Sequence, residues 1–425
     1  MRAGETFCPG ILHAVPAKDG LLLRLRMPGG LIHAAQLSTV AALADTFADG
    51  QIEITSRANL QLRALQPGSV PQVAEALRLA GMLPSTQHDR VRNIVTSPFA
   101  GLDRQEHLDT RPLVRELDTR LIADDTFAEL HPKWSFGIHG SSRRFSHEQD
   151  DLALQSIEGA DRLQFFFGGT DTGFAVQAEQ AVDCLLAATK LCISLGRHHG
   201  VAVRASKLAA LPAVPGSLLD ALAPFLVSSP QSAGKQVTTL PPIGIHPETD
   251  AGLCTIVPSI PLGWLTTRQA HQVANAAKNC DADLRLAPWR GIVLGAVPPD
   301  CAAGVAARLA SVDLHCDNRA GFQGIAACAG VAGCDAALAD VRADAKLLAR
   351  SFAERGPVPG WTVHLSGCDK QCAMRHGAAA ALVGTAAGYL VRVHGRLALE
   401  PCSPDEAIGL ILAAHANIPS ESKAS

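Results

Sequence analysis

Residues 29–65 and 263–297 carry the same order of apolar and polar positions, about 232 residues apart. Each stretch has a strand before it, then apolar residues every three to four positions, then two alternating runs joined by a short turn. A period near 3.6 marks an amphipathic helix and a period of 2 a half-buried strand. Gln36 aligns with Gln269, Ile52 with Leu284, Ile54 with Leu286, Leu60 with Ile292 and Leu62 with Leu294. That offset implies two copies of a large unit, not an array of short repeats. Arginines stand beside the alternating strands in both copies: Arg57 and Arg63, then Arg285 and Arg290.

A longer α/β stretch follows each copy. After the first come "DRVRNIVTSPFAG", "LHPKWSFGIHGSSRR" and a strand in "RLQFFFGG". The glycine-rich "GGTDTG" (168–173) is neither GxGxxG nor a Walker loop. It reads as a tight turn entering a helix over 174–195. The second reading is contact between helix N-terminal amides and a carboxylate. After the second copy, "DAALADVRADAKLLARSFAERG" predicts a helix ending at Gly356. "WTVHLSG" predicts a strand running into a turn at Cys368, and "AAALVGTAAGYLVRVHG" a hairpin turning at Gly388. Residues 216–239, with "SSPQSAGKQ", read as the inter-unit region. The expected units are 1–75, 76–235, 236–305 and 306–425.

Bulk properties narrow the class. A chain of 425 residues with 47% hydrophobic and 18% charged residues is too long for one ordinary core and reads as soluble and globular. No run is apolar enough to span a membrane. The first twenty residues lack the apolar core and cleavage site of a secretion signal, so a cytoplasmic location is expected. A net charge of -3, one tyrosine and four tryptophans give no case for nucleic acid. Of the twelve cysteines, Cys184, Cys192, Cys254, Cys280 and Cys301 fall in apolar runs and read as packing residues.

Four others form a pattern. Cys328-x5-Cys334 and Cys368-x3-Cys372 are separated by 33 residues and set among Ala, Gly and Ser. Two close thiol pairs suit a cubane iron–sulfur cluster, which takes one soft anionic ligand per iron. Zinc sites favour C-x2-4-C arms, so the x5 arm argues mildly against zinc. A zinc site and a disulfide pair stay open as other readings.

These motifs resemble the sulfite/nitrite reductase superfamily, and within it the precorrin-3B synthase family of aerobic cobalamin biosynthesis. "CPGILHAVPAKDGLLLRLRMPGG", "PPIGIH" and "LRLAPWRGIVL" carry the closer match. The resemblance implies an α+β fold with two ferredoxin-like half-domains and two α/β lobes related by a pseudo-twofold axis. It implies that Cys328, Cys334, Cys368 and Cys372 ligate a 4Fe-4S cluster. In the reductases the last of these also bridges to sirohaem, an octacarboxylate ring held by Arg and Lys. Arg57 matches a carboxylate-binding arginine in a "T-x-R" strand, and Arg92 in "VRNIV" matches another. Lys133 matches the first lysine of "K-F-K"; Ser135 stands at the second, which weakens the reductase reading.

Precorrin-3A is likewise an octacarboxylate tetrapyrrole, and arginine forks suit such acids. Expected substrate-binding residues are Arg57, Arg63, Arg92, Lys133, Arg285 and Arg290, with Arg90, Arg143, Arg144 and Arg375 as further candidates. The implied reaction is O2-dependent hydroxylation of precorrin-3A to the hydroxy-lactone precorrin-3B. Its electrons would pass through the cluster from an external donor protein or an NADH-linked reductase. A mononuclear non-haem iron could activate O2; His131, His139, His246, His364 and His376 lie near the motifs without facial-triad spacing. The alternatives are a sirohaem-dependent sulfite or nitrite reductase, and an electron-transfer or redox-sensing protein on the same scaffold.

Overall fold

The computed structural model describes residues 8–146, 148–229, 236–237, 240–250, 252–358, 360–374, 378–397 and 400–417. The candidates Arg375 and His376 lie outside them.

The two repeated stretches fold alike. In the first copy, strands Gly20–Leu25, Leu60–Leu65 and Gln51–Ile54 form an antiparallel sheet with Val15–Ala17 at its edge. Helices Ala34–Phe47 and Val70–Leu79 accompany it. In the second, Gly244–Pro247, Cys254–Val257, Gly291–Val297 and Asp283–Ala287 pair antiparallel, with helices Thr267–Asn279 and Pro299–Ala310. The aligned glutamines share one task. Each sits at the third helical position and closes a capping box with His33 or Thr266. Gln36 Nε2 donates to Ala80 O at 3.1 Å and Gln269 Nε2 to Val312 O at 2.9 Å, tying each helix start to the end of the next helix.

The copies also exchange backbone. Trp264–Thr266 precedes the second copy's helix but pairs with Gln51–Glu53 of the first. Leu31, before the first copy's helix, bridges to Arg285 of the second. The Ala34–Phe47 and Thr267–Asn279 helices pack together, and one apolar core runs through both copies, from Leu23, Leu37 and Ile54 to Val273, Leu286 and Leu294.

The lobes share a plan as well. Strands Ile94–Thr96, Phe136–His139 and Leu152–Ser156 run parallel, then continue antiparallel through Arg162–Phe167, Thr170–Gln177 and Leu226–Ser228. In the second lobe Ile325–Ala327, Val363–Ser366 and Ala380–Thr385 run parallel, followed by antiparallel Gly388–Val393 and Arg396–Leu397. The helix expected to end at Gly356 is Val341–Arg355, capped by that residue.

One expectation needs correction. "GGTDTG" does not lead into a helix: Thr170–Gln177 is a strand and the helix is Ala181–His199. Gly168 and Gly169 both have positive φ and make the two-residue hairpin turn, while Gly173, φ 75°, sits in the bulge between Asp171 and Ala175. With the helix starting beyond the motif, its N-terminal amides are not offered there. Within the expected inter-unit region, Val214–Ala221 is helical and Leu226–Ser228 extends the first lobe's sheet, while most of "SSPQSAGKQ", its most linker-like part, lies outside the described residues.

Candidate functional site

Both repeats and both lobes wall a cavity of about 620 Å³. Arg24 and Arg57 reach it from the first repeat, Lys133, Glu148 and Arg204 from the first lobe, Trp289 and Arg290 from the second repeat, and Thr362 and Cys372 from the second lobe. Among its described lining residues five are cations (Arg24, Arg57, Lys133, Arg204, Arg290) and one is a carboxylate, Glu148. Trp289 and Phe145 supply an apolar wall, with ring centroids 5.3 Å apart.

The arginines are held by partners of different kinds. Arg57 Nη2 meets Glu148 Oε2 at 2.8 Å, while Arg57 Nε is buried without a partner. Arg204 Nε is fixed by the buried Asp151 at 2.9 Å. Arg290 Nη1 meets Glu53 Oε1 at 3.2 Å, and its Nη2 donates to Ala373 O, one residue from Cys372. Arg24 donates Nε to the neutral Gln61 Oε1 at 2.6 Å. Just past the end of Arg24's strand, Gly20–Leu25, Arg26 is buried with Nε and Nη1 unpaired. Burial, followed by the charges of Arg24 and Arg57, pushes the Arg26 guanidinium well below its usual range. Buried cationic nitrogens without partners are costly. Of these nitrogens only Arg57 Nε belongs to a residue that lines the cavity, and there it suits a polyanionic molecule.

Of the expected substrate-binding residues, Arg57, Lys133 and Arg290 meet at this cavity, and Arg63, Arg92 and Arg285 are not among its lining. Arg92 forks onto Asp118 at 2.7 and 2.6 Å. Arg285, fully buried, takes Asp283 at 2.6 Å and donates to the carbonyls of Pro98 and Ala100, fastening the second repeat to the first lobe. Arg63 forks onto Asp19 and donates to Gly333 O, which clamps the first repeat against the turn before Cys334. Of the further candidates, Arg143 pairs with Asp103, and Arg144 bonds Gln155 and covers the Phe166 ring; Arg90, too, is absent from the lining. Sequence reasoning missed Arg24, Arg204 and Glu148. Arg24 and Arg26 left a signal, two arginines at i and i+2 inside the apolar run "LLLRLR"; Arg204 left none.

Cys328 and Cys368 follow adjacent parallel strands, Ile325–Ala327 and Val363–Ser366, at the same edge of the second lobe. The Gly367 amide donates to Cys328 Sγ at 3.2 Å, the kind of N–H···S bond that stabilises a thiolate ligand. Gly367 must be glycine: a Cβ there would stand 2.7 Å from Ala337 Cβ. Among the described residues no three His, Cys, Asp or Glu side chains are grouped to hold a metal ion. The soft donor set suits an iron–sulfur cluster, but only the strand ends leading to Cys328 and Cys368 are adjacent here, and no three of the four cysteines are gathered. Among the described residues the histidines form no ready iron site either: His246 bonds Pro242 O, His139 faces Asp150 at 3.5 Å, and His131 accepts from the Lys133 amide.

His364 lies in the strand Val363–Ser366 and is not among the cavity's lining residues. It is fully buried with neither ring nitrogen hydrogen-bonded among the described residues. Burial, with Arg290 and Arg392 nearby, pushes its pKa down to about 3. An unfolded imidazole titrates near about 6.5, so protonation favours the unfolded chain. Its contribution to stability is therefore complete above about pH 6.5 and lost as pH falls toward about 3, by up to about 1.4 kcal/mol per unit. Urea melts from pH 7 to 5 should show wild type losing more stability than His364→Gln; parallel curves would contradict the buried neutral imidazole.

Comparison with known proteins agrees with this architecture. The nitrite/sulfite reductase ferredoxin-like half-domain matches at residues 13–80 and 246–312. The nitrite and sulphite reductase 4Fe-4S domain matches at 87–215, a stretch that does not include the four patterned cysteines. The chain is 29% identical over 404 residues to a Sinorhizobium precorrin-3B synthase, covering 93% of this chain and 83% of that one. It is 26% identical over 391 residues to a ferredoxin–nitrite reductase of Synechococcus elongatus, covering 85% and 76%. The Mycobacterium tuberculosis NirA structure superposes with a TM-score of 0.77 at 21% identity, covering 92% and 79%. No helix among the described residues is long and apolar enough to cross a membrane. The chain belongs to the nitrite and sulfite reductase superfamily.

Proposed function

We propose that this chain is an oxidoreductase that binds precorrin-3A in the four-walled cavity and hydroxylates it to precorrin-3B with O2. The observation that carries the reading is the convergence of five cations on a cavity that Cys372 also lines. Similarity to a precorrin-3B synthase along 93% of the chain supports the choice of substrate. One oxygen atom enters the product; the other leaves as water, taking two electrons from an external donor and two protons.

The residues have separable tasks. Arg57, Arg204 and Arg290 offer planar forks to the acid arms of the ring, and Lys133 offers a mobile point charge. Trp289 and Phe145 cover a ring face and keep water from it. Cys328, Cys334, Cys368 and Cys372 would hold a 4Fe-4S cluster, which supplies electrons one at a time. Ser135, where a second lysine would favour sulfite or nitrite, is fully buried and outside the cavity lining.

Protein purified without oxygen from a host that makes sirohaem tests the reading. It should show the broad shoulder of a lone cluster and no extractable sirohaem. Given precorrin-3A, O2 and an electron donor, it should yield a pigment heavier by one oxygen. Near-stoichiometric sirohaem with strong Soret and red bands would replace this reading by a sulfite or nitrite reductase.

A further inference from the structure

The carboxylates that hold the cavity's arginines are not alike. Asp151, which fixes Arg204, is buried, and Glu53, which holds Arg290, is largely so; neither lines the cavity. Glu148 lines it, and 41% of its side-chain surface stays open although protein surrounds it on most sides. It sits between the strands Arg143–Arg144 and Leu152–Ser156, so no sheet fixes its position. One of its oxygens meets Arg57 Nη2 at 2.8 Å and the other accepts from Ser56 Oγ. Burial would raise its pKa, but Arg57, the Ser56 hydroxyl and Arg290 outweigh burial and hold the carboxyl below its usual range. An ionised carboxylate of the chain thus occupies the fork that a ligand's acid arm would take.

We propose that Glu148 is a displaceable placeholder and sets the specificity of the cavity for highly carboxylated ligands. With the cavity empty, it neutralises Arg57. A ligand acid arm takes the fork only by moving Glu148 aside. A ligand with many acid arms is retained meanwhile by Arg24, Lys133, Arg204 and Arg290. A ligand with two arms lacks enough other contacts to drive the exchange. Specificity then comes from a built-in competitor as well as from attraction.

This inference rests on the cavity being a site for carboxylated tetrapyrroles. The test is fluorescence titration with uroporphyrin III, an octacarboxylate, and mesoporphyrin, a dicarboxylate, on five proteins: wild type, Glu148→Gln, Glu148→Ala, Arg57→Ala and the Glu148→Gln/Arg57→Ala double variant. Glutamine keeps the size of Glu148 and a hydrogen bond to Ser56 while removing the charge. Glu148→Gln should bind uroporphyrin roughly tenfold tighter than wild type, the scale of one charge-assisted hydrogen bond. Its preference over mesoporphyrin should narrow. In the Arg57→Ala background the gain from Glu148→Gln should be smaller than in wild type, because no fork remains to be released and only the removal of the Glu148 charge is left. Glu148→Ala should behave as Glu148→Gln does, which separates charge from local packing. Weakened binding in Arg57→Ala together with unchanged or weaker binding in Glu148→Gln would overturn the placeholder and leave the tetrapyrrole site standing. No uroporphyrin binding by wild type would overturn both.

Discussion

Cys368→Ser is expected to abolish the iron–sulfur chromophore and to lower the yield of folded protein. Serine is a hard, weakly acidic donor and does not replace a thiolate on iron. Cys368 belongs to the turn that leaves the Val363–Ser366 strand, held by Ser366 Oγ donating to Cys368 O at 2.6 Å. Its neighbour Cys328 leaves the adjacent strand. A cluster across these turns would tie both strand ends, so its loss removes binding free energy that also stabilises the second lobe. Cys334→Ala should act in the same direction. A control comes from the first lobe, where the 4Fe-4S family match falls. Its Cys184 and Cys192 are buried in the Ala181–His199 helix, and burial pushes both thiols up to about 12. Neither presents a thiolate, so Cys192→Ala should retain wild-type iron. The measurements are iron and sulfide content after anaerobic reconstitution, the optical spectrum and a thermal melt. Roughly four irons per chain with an unchanged spectrum in Cys368→Ser would rule this cysteine out as a ligand.

The repeat was legible because alternation and helical period depend on neighbouring residues. Ile52 and Ile54, like Leu284 and Leu286, are buried on alternating strand positions. The backbone exchange between the copies was not legible. Trp264–Thr266 pairs with residues more than two hundred positions away, and nothing in its own sequence names that partner. The expected helix over 174–195 began too early because Phe174, Ala175 and Val176 form an apolar run that fits either period. The bulge at Gly173 and pairing with Leu226–Ser228 decide for strand. The arginines show the same limit. Sequence marks which residues carry a fork but not which acid each meets, and Arg92 with Asp118 looks no different from Arg57 until the chain is folded. The cysteine pattern could be singled out because its spacing lies in one segment, but that spacing does not show how the four side chains are arranged.

Arg57→Ala is expected to weaken tetrapyrrole binding on the order of tenfold or more. A charge-assisted hydrogen bond contributes about 1.5–3 kcal/mol, and Arg57 has its buried Nε still unpaired as well as the Nη2 held by Glu148. Removing the fork also leaves Glu148 without its guanidinium, so a negative charge then faces an incoming acid arm. Arg57→Lys should recover only part of the loss, because an ammonium restores the charge without the paired, planar donors. Arg92→Ala supplies the contrast. Its fork lies on Asp118, and Arg92 is not among the cavity's lining residues. That substitution should lower the melting temperature by stranding a partly buried carboxylate and leave the affinity near that of wild type. Cluster absorption should be unchanged in all three variants, since none replaces a cysteine. Titration of each with precorrin-3A, beside its cluster spectrum and melting curve, reads the three effects apart. Wild-type affinity in Arg57→Ala would remove this residue from the site. A loss of affinity in Arg92→Ala as large as that in Arg57→Ala, at equal stability, would mean that Asp118 gives way to the ligand and that the site reaches beyond the cavity.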